Sequence, residues 1–169
     1  MLQPLSILNP NKVHATPEHL ARLDAALAQI ESAPEKWNQR TWFKDVAPGA
    51  RDRVEHGEFV PWTCGQQACL AGHLIVNAGA KPVLEVDDEC DDDDCTECRH
   101  DGVATASKCV TATGVKVDIP YYAAELIGLE VWEADHHLFE AYTTLDYMKR
   151  VRTEIARLID ERHQHGGAK

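Results

Sequence analysis

The sequence predicts a mainly α-helical α+β protein: a small helical domain that carries a short β-hairpin and cysteine-loop insertion. Three observations lead there. Apolar residues recur at helical spacing in several windows bounded by Pro and Gly. One stretch, 110–119, alternates and is rich in β-branched residues. The chain has 169 residues with 44% hydrophobic content, which suits one domain with its own core. Residues 1–169 therefore read as a single domain, with 80–119 as an acidic, cysteine-rich β/loop insertion within it.

Residues 1–15 read as an irregular leader. Thr16-Pro17-Glu18 is a helix start: a hydroxyl cap, proline in the first turn, then an acid. Leu20, Leu23, Leu27 and Ile30 form the stripe of that helix, and Ala33-Pro34 ends it, because a residue before proline avoids the α region. A short helical piece is expected around Trp37, reaching toward Trp42-Phe43, and 47–61 reads as loop. Residues 64–79 form the next expected helix. Gly72 in its interior costs about 1 kcal/mol against alanine, which points to close packing there, and Gly79 stops it. A short strand is expected at 83–86, then the acidic cysteine loop, then strands at 110–113 and 115–119 bent at Gly114. Pro120 opens a helix through Leu126 that Gly128 closes. A further helix at 131–142 is expected to turn Trp132, Leu138 and Phe139 inward. In the last helix, capped by Thr144 or Asp146, Met148, Val151, Ile155, Leu158 and Ile159 share one face. The tail from His163 is expected to fray.

Lys and Arg number 17 against 28 Asp and Glu, so the net charge is −11. Phosphate contacts need clustered basic residues, so direct nucleic-acid binding is not expected. No run approaches the ~18 apolar residues of a membrane span. The start Met1-Leu2-Gln3-Pro4 lacks the basic and apolar regions of a signal peptide, so a cytoplasmic location with reduced thiols is expected. The acidity is concentrated: residues 81–100 hold nine carboxylates against Lys81 and Arg99.

That acidic run holds Cys90, Cys95 and Cys98, and Cys109 follows, giving C-x4-C-x2-C-x10-C. Four sulfurs so spaced can close on tetrahedral zinc, and the C-x2-C pair is the tightest element. His100 is an alternate ligand. The surrounding acids favour three thiolates and an imidazole over a more anionic four-thiolate site. Reduced thiols or disulfides without metal are the competing reading. The spacing also opens like a plant-type iron–sulfur pattern, but four aspartates would repel an anionic cluster.

The second feature is Trp62-Thr63-Cys64-Gly65, followed by Cys69-Leu70-Ala71-Gly72-His73. Cys64 at the start of the expected helix would meet the positive helix end, which favours a thiolate nucleophile, with His73 as one candidate base. Cys69 and His73 share a helix face, which suits either a common metal or simple core packing. This segment resembles a family of small uncharacterised proteins of actinobacterial phages and their hosts. The residues that carry the resemblance are Trp42, Cys64-Gly65, Cys69-Leu70-Ala71-Gly72, Gly79, Ala123-Ala124-Glu125-Leu126-Ile127-Gly128-Leu129 and Leu138-Phe139. It covers about a third of the chain, and Ile127 is an extra residue against the family's pattern. The resemblance implies no established activity, and the cysteine loop at 85–110 is an insertion relative to it.

Glu133-Ala134-Asp135-His136 has the letters of a di-iron helix motif, but such a centre needs a second motif and two more glutamates. Glu133 with His137 reads more simply as an i,i+4 surface pair. Together these features predict a non-enzymatic, zinc-stapled accessory protein, of a phage-encoded kind, that works by binding another protein. The alternative is a cysteine-dependent hydrolase or transferase using Cys64 and His73.

Overall fold

The computed structural model describes residues 7–45, 54, 66–87 and 103–166. In chain order its elements are α1 (Pro17–Ser32), β1 (Lys44–Asp45), β2 (Gln66–Gln67), α2 (Leu70–Asn77), β3 (Lys81–Asp87), β4 (Val103–Val110) and β5 (Lys116–Asp118). Then come α3 (Ile119–Ile127), α4 (Val131–Ala134), a π-helical turn (Asp135–Phe139) and α5 (Leu145–Gly166). The fold is α+β: helices packed with a small antiparallel sheet of five strands. Among the described residues no helix is long and apolar enough to cross a membrane.

α1 begins and ends where the local signals place it. Thr16 Oγ1 accepts from the His19 amide at 3.4 Å, and the Thr16 amide donates to His19 Nδ1 at 3.0 Å. Histidine thus closes the reciprocal cap that Glu or Gln usually closes. Leu23, Ala26, Leu27 and Ile30 are buried against the rest of the core, and α1 packs on α2, α3 and α5.

The chain after α1 departs from expectation. Instead of a helix at Trp37 there is a 3-10 turn, Pro34–Lys36. Trp37 then forms a parallel bridge with Ala68. The Ala68 amide donates to the Lys36 carbonyl at 2.9 Å, the Asn38 amide to the Ala68 carbonyl at 3.0 Å, and the Cys69 amide to the Thr41 carbonyl at 2.7 Å. Lys44 and Asp45 pair with Gln67 and Gln66 as β1 and β2. These long-range bonds take residues 66–69 out of the helix expected over 64–79, so α2 starts at Leu70. Gly72 is explained by this crossing: a Cβ there would stand 2.0 Å from the Trp42 carbonyl oxygen and 2.5 Å from Ala68 Cβ.

β4 is the centre of the sheet. β3 runs along one edge of it, while β1 and β5 share the other. The strand expected at 110–113 is therefore displaced, since β4 already ends at Val110 and a turn occupies the positions after it. Three residues of β3, Val83 to Glu85, face four of β4, Thr105 to Lys108. This bulge reverses the side-chain alternation. Ala104 and Ala106 face inward before it, and Cys109 rather than Lys108 faces inward after it. The described strands of this region pack into the main core: Ala106 and Cys109 belong to the same core cluster as residues of α1, α2 and α5.

α3 carries Pro120 in its first turn and ends at Gly128, where φ is +68°. A Cβ at Gly128 would also lie 2.5 Å from Ala15 Cα, so the position requires glycine twice over. Here residues 12–14 join 128–130: His14 N donates to the Gly128 carbonyl and Glu130 N to the Lys12 carbonyl.

The helix expected over 131–142 breaks after one turn and widens into the π-helical turn. The wider turn shifts the helical phase. Leu138 and Phe139 enter the core as expected, but Trp132 is 65% exposed, against the expectation that it packs inward. α5 buries Met148, Val151, Ile155, Leu158 and Ile159, as its stripe predicts. It does not fray at His163 but continues to Gly166. Arg162 in its last turns donates to the carbonyls of Val13 and Ala15 and holds that end to the N-terminal segment.

Candidate functional site

Of the expected zinc ligands, Cys90, Cys95, Cys98 and His100 lie outside the described residues. Cys109 is described, and it lies in β4. It is 0% exposed, and burial, with the nearby charge of Asp118 adding, pushes its thiol up to about 11. It stands six residues along β4 from Val103. Cys109 behaves as a small apolar core residue. Among the described residues no group of three or more His, Cys, Asp or Glu is arranged to hold a metal ion.

Cys64 also lies outside the described residues. The premise of its activation is changed nonetheless, because α2 begins at Leu70 and the residue at its cap is Cys69. Cys69 shows which effect wins there. Backbone amides of Gly72 and Ala71 lower its pKa, but burial outweighs them and pushes the thiol up to about 12. His73 is 0% exposed, with Nδ1 3.2 Å from the Gln29 side-chain oxygen and Nε2 3.3 Å from the Lys36 carbonyl oxygen. Burial lowers its pKa to about 4. Both ring nitrogens tie α2 to α1 and the following turn. His73 is a structural pin, with neither the access nor the basicity of a general base.

Two arrangements were not singled out by sequence reasoning. The first surrounds the π-helical turn. Glu133 is only 2% exposed, so the pair with His137 is no surface pair. Its Oε2 lies 3.6 Å from His137 Nε2 and accepts from the Asn9 amide at 3.5 Å. His137 Nδ1 lies 3.0 Å from the Tyr147 hydroxyl. Burial is the main cause that lowers the His137 pKa; His136 adds to it, and the charges of Glu133 and Glu140 oppose it. On the outer side, Trp132 stacks on His136 with ring centres 5.3 Å apart and planes 13° apart, and His136 meets His137 edge-on at 4.8 Å. An exposed indole is thus backed by two imidazoles and anchored through Tyr147 to α5. The i,i+4 spacing of Glu133 and His137 was the one legible signal.

The second arrangement is an open cleft of about 490 Å³ between residues 37–40 and 141–145, lined by Trp37, Arg40, Gln67, Tyr142, Thr144 and Leu145 among others. Arg40 holds its guanidinium 5.8 Å above the ring of Tyr142, which is 80% exposed. Gln39 braces the wall: its side chain accepts from Trp37 Nε1 at 3.0 Å and donates to the carbonyl of Leu138 at 2.8 Å. Nothing in the local sequence pattern joins Arg40 to Tyr142, which are a hundred residues apart.

Comparison with protein-family models, with curated proteins and with solved structures found no match.

Proposed function

We propose that this chain is a non-enzymatic accessory protein, of the small phage-encoded kind that its 64–79 segment resembles, and that it acts by binding another protein. The observation that carries the reading is Trp132. It is 65% exposed, yet it is held in one orientation by the His136 stack. Exposed and pre-ordered aromatic side chains are what protein interfaces use as anchors, since little side-chain entropy is lost on docking. The thiols point the same way: Cys69 and Cys109 are buried with raised pKa values, which suits packing and not nucleophilic chemistry.

Zinc is the proposed staple for the segment between β3 and β4. Cys90, Cys95, Cys98 and His100 would hold it, and its chemistry is structural, drawing the acidic segment together. The experiment is affinity capture with Trp132→Ala beside the wild-type chain, together with metal analysis of untagged protein. The expected result is a partner retained by wild type and lost by Trp132→Ala, with thermal stability unchanged and about one zinc per chain. Equal capture by both proteins would remove the Trp132 face from the reading. Zinc below about 0.3 per chain would remove the staple.

A further inference from the structure

The cleft walled by Arg40 and Tyr142 has a charge pattern at odds with the rest of the chain. The protein carries 28 acidic residues, yet among the described residues no carboxylate lines this cleft. Arg150 aside, which lies over the Tyr147 ring, the other described arginines pair with carboxylates (Arg152, Arg157) or donate to backbone carbonyls (Arg22, Arg162). Arg40 does neither: the partner of its guanidinium is the face of Tyr142, and no described carboxylate lies within 4.0 Å of it. Stacking on a ring fixes the plane of a guanidinium and leaves its N–H edges available for a bidentate acceptor.

Both walls are set before any ligand arrives. The Arg40 amide donates to Asn38 Oδ1 at 3.1 Å, and the Thr41 amide donates to the Asn38 carbonyl at 3.3 Å. Across the cleft, the Thr143 amide donates to the Glu140 carbonyl at 2.9 Å, and Thr144 Oγ1 accepts from the Tyr147 amide at 3.3 Å. A volume of about 490 Å³ is within the range of ligand sites and admits a few side chains. The smaller neighbouring cleft, about 230 Å³, shares Arg40 and is flanked by Asp135 and Glu140. Those acids bound the cationic region on that side, so the larger lobe is where an anion meets no carboxylate among the described lining residues. At ~0.15 M salt the more distant acids are screened beyond ~8 Å.

We infer that this cleft receives an acidic peptide segment of a partner protein, with a Glu or Asp carboxylate bridged by Arg40 and the neighbouring peptide laid against Tyr142 and Trp37. This rests on the reading of the chain as a binding protein, but it uses a surface other than Trp132. The test is selection from a displayed random heptapeptide library, by wild type and by Arg40→Gln. Wild type should enrich Asp- and Glu-containing peptides, and Arg40→Gln should lose that enrichment at unchanged melting temperature. A synthetic selected peptide should bind about tenfold tighter than its Asn/Gln twin, the difference expected for losing a charged hydrogen-bonded pair. That difference should vanish in Arg40→Gln, and Tyr142→Ala should weaken binding severalfold. Trp132→Ala should select the same peptides, so failure of the Trp132 face and failure of this site are separable. No acidic enrichment by wild type, or the same enrichment by Arg40→Gln, overturns the inference. Full displacement by an equal concentration of N-acetylglutamate would also overturn it, because it would identify a small free acid as the ligand.

Discussion

The buried imidazole of His73 makes the folded chain sensitive to mild acid. An unfolded histidine titrates near 6.5, and burial lowers the folded value to about 4. A base whose pKa is depressed on folding binds protons preferentially when unfolded. Its contribution is therefore complete above pH 6.5 and is lost as pH falls toward 4. The gap of about 2.5 pH units, at about 1.36 kcal/mol each, amounts to about 3 kcal/mol. About 2 kcal/mol of it is already gone by pH 5. His73 is 0% exposed, so solvent does not screen this cost. The measurement is urea unfolding at pH 7, 6 and 5 for wild type and His73→Gln. The variant is expected to be less stable at pH 7, since contacts to Gln29 and Lys36 are lost. Its stability should also fall more slowly between pH 7 and 5, by about 2 kcal/mol. His137→Gln is the control, because the His137 pKa is lowered too and titrates in the same direction. Equal slopes in wild type and His73→Gln over that range would refute the argument.

Two further outcomes follow from packing. Cys109→Ala should leave the zinc content unchanged, because the thiol faces the core, while costing about 1 kcal/mol for the lost buried sulfur; metal analysis and thermal unfolding check the two parts, and loss of zinc would contradict the placement. Gly128→Ala combines a left-handed φ of +68° with a Cβ 2.5 Å from Ala15 Cα, so it should destabilise by more than the roughly 1 kcal/mol of the backbone term alone. A melting temperature within a degree of wild type would refute that account.

Much of the helical frame is legible locally. The Thr16-Pro17 start, the Ala33-Pro34 stop, the glycine at 128 and the apolar stripe of α5 are set by residues within a few positions of one another. Short-range rules of capping, φ preference and periodicity suffice for such features. Gly72 was also legible as a close-packing position, although not what it packs against. The candidate site was far less legible. The i,i+4 relation of Glu133 and His137 could be read, but the burial of Glu133 and the tie to Tyr147 could not.

What the sequence determined by itself is the start of α1, the close of α3, the buried stripe of α5 and the identity of its chemistry-bearing side chains. What tertiary structure decided is which of those side chains reach solvent. Gln66 and Gln67 pair with a strand twenty residues away, so α2 starts late and Cys69, not Cys64, sits at its cap. One bulged residue in β4 turns Cys109 into the core, and one π-helical turn carries Trp132 out of it. In each case a local preference worth about 1 kcal/mol or less competes with backbone hydrogen bonds and buried area contributed from distant parts of the chain, and the distant terms are larger.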